Sequence, residues 1–122
     1  MRLPTSFSPI EVNEIDNFAF DFTAEVGSEA ILSTSWSCKI GPFQTATDET
    51  PQARIIQTTV EPSVQLRSSL DGSLQTKTGF FSVATVGGFP ISAIGATYIL
   101  EATVYLSDGR ILSVSSTVQC AP

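Results

Sequence analysis

The stretch Gly95–Cys120, GATYILEATVYLSDGRILSVSSTVQC, decides the fold class. Tyr98, Leu100, Ala102, Val104 and Leu106 alternate with Ile99, Glu101, Thr103 and Tyr105. Ser107-Asp108-Gly109-Arg110 then turns the chain, and Leu112, Val114, Ser116, Val118 and Cys120 share one face of the return. Sustained alternation is the mark of a half-buried strand, because successive side chains point to opposite faces. Asp-Gly between two such runs predicts a tight type I′ hairpin turn, whose central residues both take positive φ.

The same period spreads outward from this hairpin. Asn17–Val26 (NFAFDFTAEV) places Phe18, Phe20, Phe22, Ala24 and Val26 on one side and reads as a strand whose phenylalanines fill the core. Ala30–Ile40 (AILSTSWSCKI) turns Leu32, Thr34, Trp36, Cys38 and Ile40 inward, with Trp36 as the core anchor familiar from immunoglobulin-like sandwiches. Gly41–Pro51 is a loop. Arg54–Val60 and Ser63–Ser69 read as two short edge strands interrupted by Glu61-Pro62. In Thr78–Val86, Phe80, Ser82, Ala84 and Val86 alternate with Phe81, Val83 and Thr85, and both faces are apolar enough for double burial or a subunit contact. About seven strands and no helical period predict an all-β, immunoglobulin-like antiparallel β-sandwich. Residues 1–12 read as an extended N-terminal arm and residues 13–122 as one sandwich domain.

Composition narrows the function classes. The net charge is −6 and the six basic residues are scattered, so neither nucleic acid nor an anionic membrane surface is an expected partner. MRLPTSFSPI has no apolar core of a signal peptide, and no run is long enough to span a bilayer as a helix. Synthesis in a reducing cytoplasm is therefore expected. Cys38 and Cys120 fall on the third and last strands, about 10 Å apart across an intervening strand, beyond the reach of a disulfide. Two free thiols are expected.

The chain has no histidine, which removes Ser-His-Asp and Cys-His catalysis. Asp21 and Glu25 share a strand face in the pattern of a glycosidase acid pair, but solvated strands carry the same pattern. Asp48-Glu49 in the loop are the acids available for a weak calcium site, a small number for tight binding. No enzyme activity, cofactor or metal is expected.

The segments FDFTAEVGSEAILSTSWS and GATYILEATVYLSDGRILSVSSTVQ carry a resemblance. Ile31-Ser33-Trp36, Gly95-Tyr98, the turn Ser107–Arg110 and the Ser-rich Ser113–Ser116 are similar to a pattern in small phage virion proteins with an immunoglobulin-like fold, of the fibre–tail adaptor type. The middle of this chain is longer than that pattern, and its acidic turn carries Glu29 alone. The resemblance implies a non-enzymatic structural or adaptor subunit of a tailed bacteriophage particle, made in the host cytoplasm and found in the virion. Its partners would be tail, neck or fibre subunits or further copies of itself. The candidate interface residues are Arg2, Leu3, Phe7 and Ile10 on the arm and Phe81, Val83, Phe89 and Ile91 on the sandwich. Alternatives are an immunoglobulin-like carbohydrate- or host-surface-binding module, with Phe43 and Tyr105 as surface aromatics, and a capsid decoration protein.

Overall fold

A computed structural model describes residues 7, 9–42, 44–67 and 71–122. Arg2, Leu3 and Phe43 lie outside the described residues. The strands are β1 (Ile10–Glu11), β2 (Ile15–Asp21), β3 (Ile31–Ile40), β4 (Ile55–Arg67), β5 (Leu74–Gly87), β6 (Thr97–Leu106) and β7 (Ile111–Ala121), with a helical turn α1 (Thr23–Val26). They form two sheets, ordered β1-β7-β6-β3 and β2-β5-β4. The pair β1–β7 is parallel and all other pairs are antiparallel. Reading β2 to β7 as strands B to G, the sheets are G-F-C and B-E-D, the order of an immunoglobulin sandwich.

The organising hairpin forms as the alternation requires. Tyr98, Leu100, Ala102 and Val104 on β6 are fully buried, and Val114, Val118 and Cys120 line the inner face of β7. The turn is longer than the two-residue form expected. Leu106 N donates to Arg110 O and Gly109 N to Leu106 O, so Ser107, Asp108 and Gly109 make a three-residue loop. Gly109 takes a φ of 91° at its last position, a place that favours glycine.

Trp36 is the core anchor. Its ring lies 5.1 Å from that of Phe20, and its Nε1 donates to Ser82 Oγ at 2.7 Å. Ser82 is fully buried and also shares a hydrogen bond with Thr34 Oγ1, so the polar group in the core is satisfied. Cys38 and Cys120 are buried free thiols. Cys38 stands opposite Leu100 and Leu100 opposite Ser116, which leaves Cys120 four residues further along β7. Burial, then the nearby Asp48 charge, push the Cys38 thiol up to about 12.

Four further expectations change. The strand expected through Val26 ends at Asp21, because the Asp21 carboxylate accepts from Thr23 N at 2.9 Å and turns the chain into α1. Phe22 and Val26 are then buried from one helical turn, four residues apart. Leu32, expected inside, is 68% exposed: a bulge on β3 sets Ile31 opposite Leu106 and Ser33 opposite Tyr105. The two short strands around Glu61-Pro62 are one strand, β4, in which Pro62 is tolerated at a sheet edge. Finally, β5 starts at Leu74 and not at Thr78, so β4 and β5 are far longer than their apolar residues indicate.

Candidate functional site

Two polar devices close the ends of the sandwich, an exposed one at the hairpin end and a largely buried one at the other. At the hairpin end, Arg110 is held by Asp108 at 2.7 Å and donates to the carbonyls of Glu25 and Val26 at 3.1 and 3.2 Å. Those carbonyls end α1, where a cation and its donors are favoured. Ser107 donates to Glu29 at 2.6 Å, and its backbone N donates to Ala30 O. The Ser-Asp-Gly-Arg motif thus ties the β6–β7 turn to the chain between β2 and β3. The backbone N and guanidinium of Arg110 hold Asp108 below the usual carboxylate range.

At the other end, the loop between β3 and β4 is a plug. Gln44 donates to Thr97 O and accepts from Thr97 N, and Gln52 does the same for Trp36 O and Cys38 N. Gln52 stands in for a strand neighbour at the β3 edge of the sheet, and Gln44 does so at the end of β6, just past the last β3 pair. Asp48, with its side chain 2% exposed, accepts from Tyr98 OH at 2.6 Å and Thr50 N at 3.0 Å and lies 3.4 Å from Arg54 Nε. Its oxygens serve the fold, so it is not placed as a solvent-facing calcium ligand. Burial and the Asp48 contact raise the Tyr98 hydroxyl strongly.

Asp21 and Glu25 do share the rim of one cleft of about 270 Å³ between β2 and β7, with Arg110 at the same rim and Phe22, Leu112 and Val114 within it. Asp21 is not poised as a general acid. Desolvation works to raise it, but hydrogen bonds from Thr23 and Lys77 outweigh burial and hold it at about 2. A general acid near neutral pH needs the opposite shift.

The larger concavity, about 640 Å³, lies on the outer face of the sheet β2-β5-β4. Its floor is set by register: Ala19 on β2 faces Val83 on β5, which faces Thr59 on β4. Asn17 and Thr85 form the next rung, joined by a 2.8 Å hydrogen bond. Small side chains there leave the sheet surface recessed. Phe7 closes one side. Its ring stacks on Phe18 at 4.6 Å and its N donates to Thr117 O. Val64, Gln65 and Glu61 on β4 also line the groove.

Beyond the groove, β4 and β5 run on together as a two-stranded ribbon. Ser63 pairs with Thr78 and the ladder continues to Arg67 with Leu74, with no third strand alongside among the described residues. A bulge at Gly79–Phe80 redirects β5 where the ribbon leaves the sandwich. A Cβ on Gly79 would strike Thr23 Oγ1 and lie 3.3 Å from the Phe81 ring, so glycine is required by close approach. Residues Leu74–Thr78 are all exposed.

The structure therefore separates the interface residues expected from sequence. Phe7 and Val83 line one groove. Ile10, Phe81 and Phe89 are 1%, 3% and 2% exposed and are taken up by their own chain. Phe89 packs edge-on against Tyr98 at 4.8 Å. Ile91 is 76% exposed on a 3-10 turn and does not line the groove. Tyr105 is 39% exposed on the outer face of β6, between Ser33 and Ile111. The sequence marks Ser63–Arg67 as strand but not its partner Leu74–Lys77, because LQTK has little apolar alternation. Its Thr and the Asp71-Gly72 turn were the available signals.

Fold and groove together define an all-β sandwich with a recessed outer sheet and a projecting ribbon. Comparison with family models, with curated protein sequences and with solved structures finds no match to this chain.

Proposed function

We propose that the chain is a non-enzymatic structural subunit of a tailed-bacteriophage particle, of the fibre–tail adaptor kind, working through protein–protein contacts. The observation that carries this reading is the β4–β5 ribbon. An isolated two-stranded ribbon is marginally stable in water and gains stability from a third strand or a packed layer. A ribbon of five residue pairs, projecting with its far strand exposed, is suited to receive that layer from a neighbouring subunit. The acids that suggested chemistry have other partners: Asp21 is engaged by Thr23 and Lys77, and Asp48 by Tyr98 and Thr50. The sequence resemblance supplies the particle, and with it synthesis in the host cytoplasm and residence in the virion.

Mass spectrometry of purified particles made by the encoding genome tests this. The chain is expected there in fixed stoichiometry to tail or neck proteins. Its presence in the lysate together with its absence from intact particles overturns the assignment.

A second reading, a carbohydrate-binding module, draws on Tyr105. This half-exposed aromatic sits on a hydroxyl-rich sheet face beside Ser33, with Thr103 and Ser113 hydrogen-bonded on the next rung. Glycan-array binding lost in Tyr105→Ala would favour it.

A further inference from the structure

We propose that the outer edge of β7, with the cleft between β2 and β7 beside it, is a strand-addition site filled by residues 1–6 of the same chain. The arm then continues β1 back along β7 to the β6–β7 turn. This goes beyond the reading of the chain as an assembly subunit and does not depend on it.

The edge is the first argument. Cys120 N donates to Ala96 O and Cys120 O accepts from Gly95 N, and the β6–β7 register runs without interruption from there to Ile111. The even-numbered residues of β7 therefore turn their backbone groups toward β6, and Ser113 and Ser115 turn theirs the other way. On that other side β1 pairs with Cys120 and Ala121, and Phe7 N donates to Thr117 O at 3.0 Å. Among the described residues, no strand runs beside Ile111–Ser115 there. Such an edge is a template for an added strand.

Register is the second. In a parallel ladder the N–H of a residue bonds the carbonyl that precedes its partner. Phe7 thus stands opposite Val118, and both side chains face inward: Phe7 stacks on Phe18, and Val118 is buried. Carried back at this register, the chain sets Thr5 opposite Ser116, Leu3 opposite Val114 and Met1 opposite Leu112. The six residues before Phe7 match the six β7 residues before Val118, from Leu112 to Thr117.

The residue types agree with that placement. Leu3 falls at the cleft of about 270 Å³, whose apolar lining is Phe22, Leu112 and Val114. Arg2, Pro4 and Ser6 fall on the outer side. Phe7 turns its N–H toward β7, so Pro4, three residues earlier, turns its nitrogen away, where a missing N–H costs no ladder bond. A slip of one residue would aim Pro4 at β7 and put Arg2 against the apolar lining.

Two measurements test the proposal. Amide exchange of the unmodified chain is expected to show Ser115 N–H protected, since at this register it donates to Leu3 O. Removing residues 1–5 should speed that exchange about tenfold or more, while Val114 and Val118, bonded toward β6, keep theirs. An unprotected Ser115 in the full chain, or equal protection after the deletion, overturns the proposal. Mild oxidation of Arg2→Cys/Ser113→Cys reads the register, because directly opposite residues lie about 4.8 Å apart, within reach of a disulfide. Arg2→Cys/Ser115→Cys, about 8 Å apart on the same spacing, should stay reduced. The bridged product is expected at monomer mass on a non-reducing gel. A bridged dimer would give the edge to the arm of a neighbouring copy and overturns the proposal, as does equal bridging of both pairs.

Discussion

Tyr98→Phe removes one oxygen from the plug between β3 and β4, and its cost can be worked from the contacts. Asp48 Oδ2 accepts from the Tyr98 hydroxyl at 2.6 Å and lies 3.4 Å from Arg54 Nε, with the Asp48 side chain only 2% exposed. Water has little access to replace the lost donor. A hydrogen bond to a charged group contributes about 1.5–3 kcal/mol. The ring itself is retained on Phe89, so no cavity term is added. The expected loss is about 2 kcal/mol, which in a domain of this size lowers Tm by roughly 6–10 °C. Asp48→Ala is costlier, about 3–5 kcal/mol, because Arg54, 11% exposed, keeps its charge and loses its counter-ion. In the Asp48→Ala background the hydroxyl has lost its acceptor, so Tyr98→Phe should then cost well under 1 kcal/mol. Urea unfolding followed by Trp36 fluorescence gives all four stabilities of the cycle. A Tyr98→Phe cost below about 0.5 kcal/mol, within the range of an ordinary surface change, or an equal cost in both backgrounds, refutes the reasoning.

Three further outcomes are expected. Ser82→Ala leaves Trp36 Nε1 without its acceptor in the core and should cost about 1–3 kcal/mol in urea unfolding; a neutral result would place the indole donor elsewhere. Leu32→Ser should change stability by less than about 0.5 kcal/mol because the bulge holds Leu32 in solvent, and a cost above 1.5 kcal/mol, the scale of a buried leucine, would move Leu32 back inside. Asp21 has a folded pKa of about 2, below its unfolded value, so its contribution is present above about pH 4 and is lost as pH falls towards 2. Lys77→Met, which removes the 2.9 Å ion pair, should reduce that acid-side loss in denaturation curves taken between those pH values, and an unchanged acid limb would count against it.

The strand pattern was legible wherever one face is buried and the other wet. In β6 and β7, burial follows the sequence alternation almost residue by residue, because a one-residue slip would turn the whole apolar set outward. Trp36 on β3 was legible for the same reason. The groove was only half visible. Val83 and Phe7 could be singled out as apolar residues without an evident place, but their meeting depends on β2 pairing with β5, sixty and more residues away.

What the sequence by itself determined is the all-β class and the inner faces of β6 and β7, since these follow from a local period of two, whereas the separation of the thiols depends on the strand order β3-β6-β7. Tertiary structure alone decided the outward turn of Leu32, the end of β2 at Asp21, the length of β4 and β5, and the burial of Ile10, Phe81 and Phe89. Bulges, a local side-chain hydrogen bond at Asp21 and packing between distant segments set these, and such contacts leave no period in the chain. The same holds for Asp48: in sequence it is an acid in a polar loop, and only the arrival of Tyr98 and Arg54 from distant positions makes it the centre of a buried network.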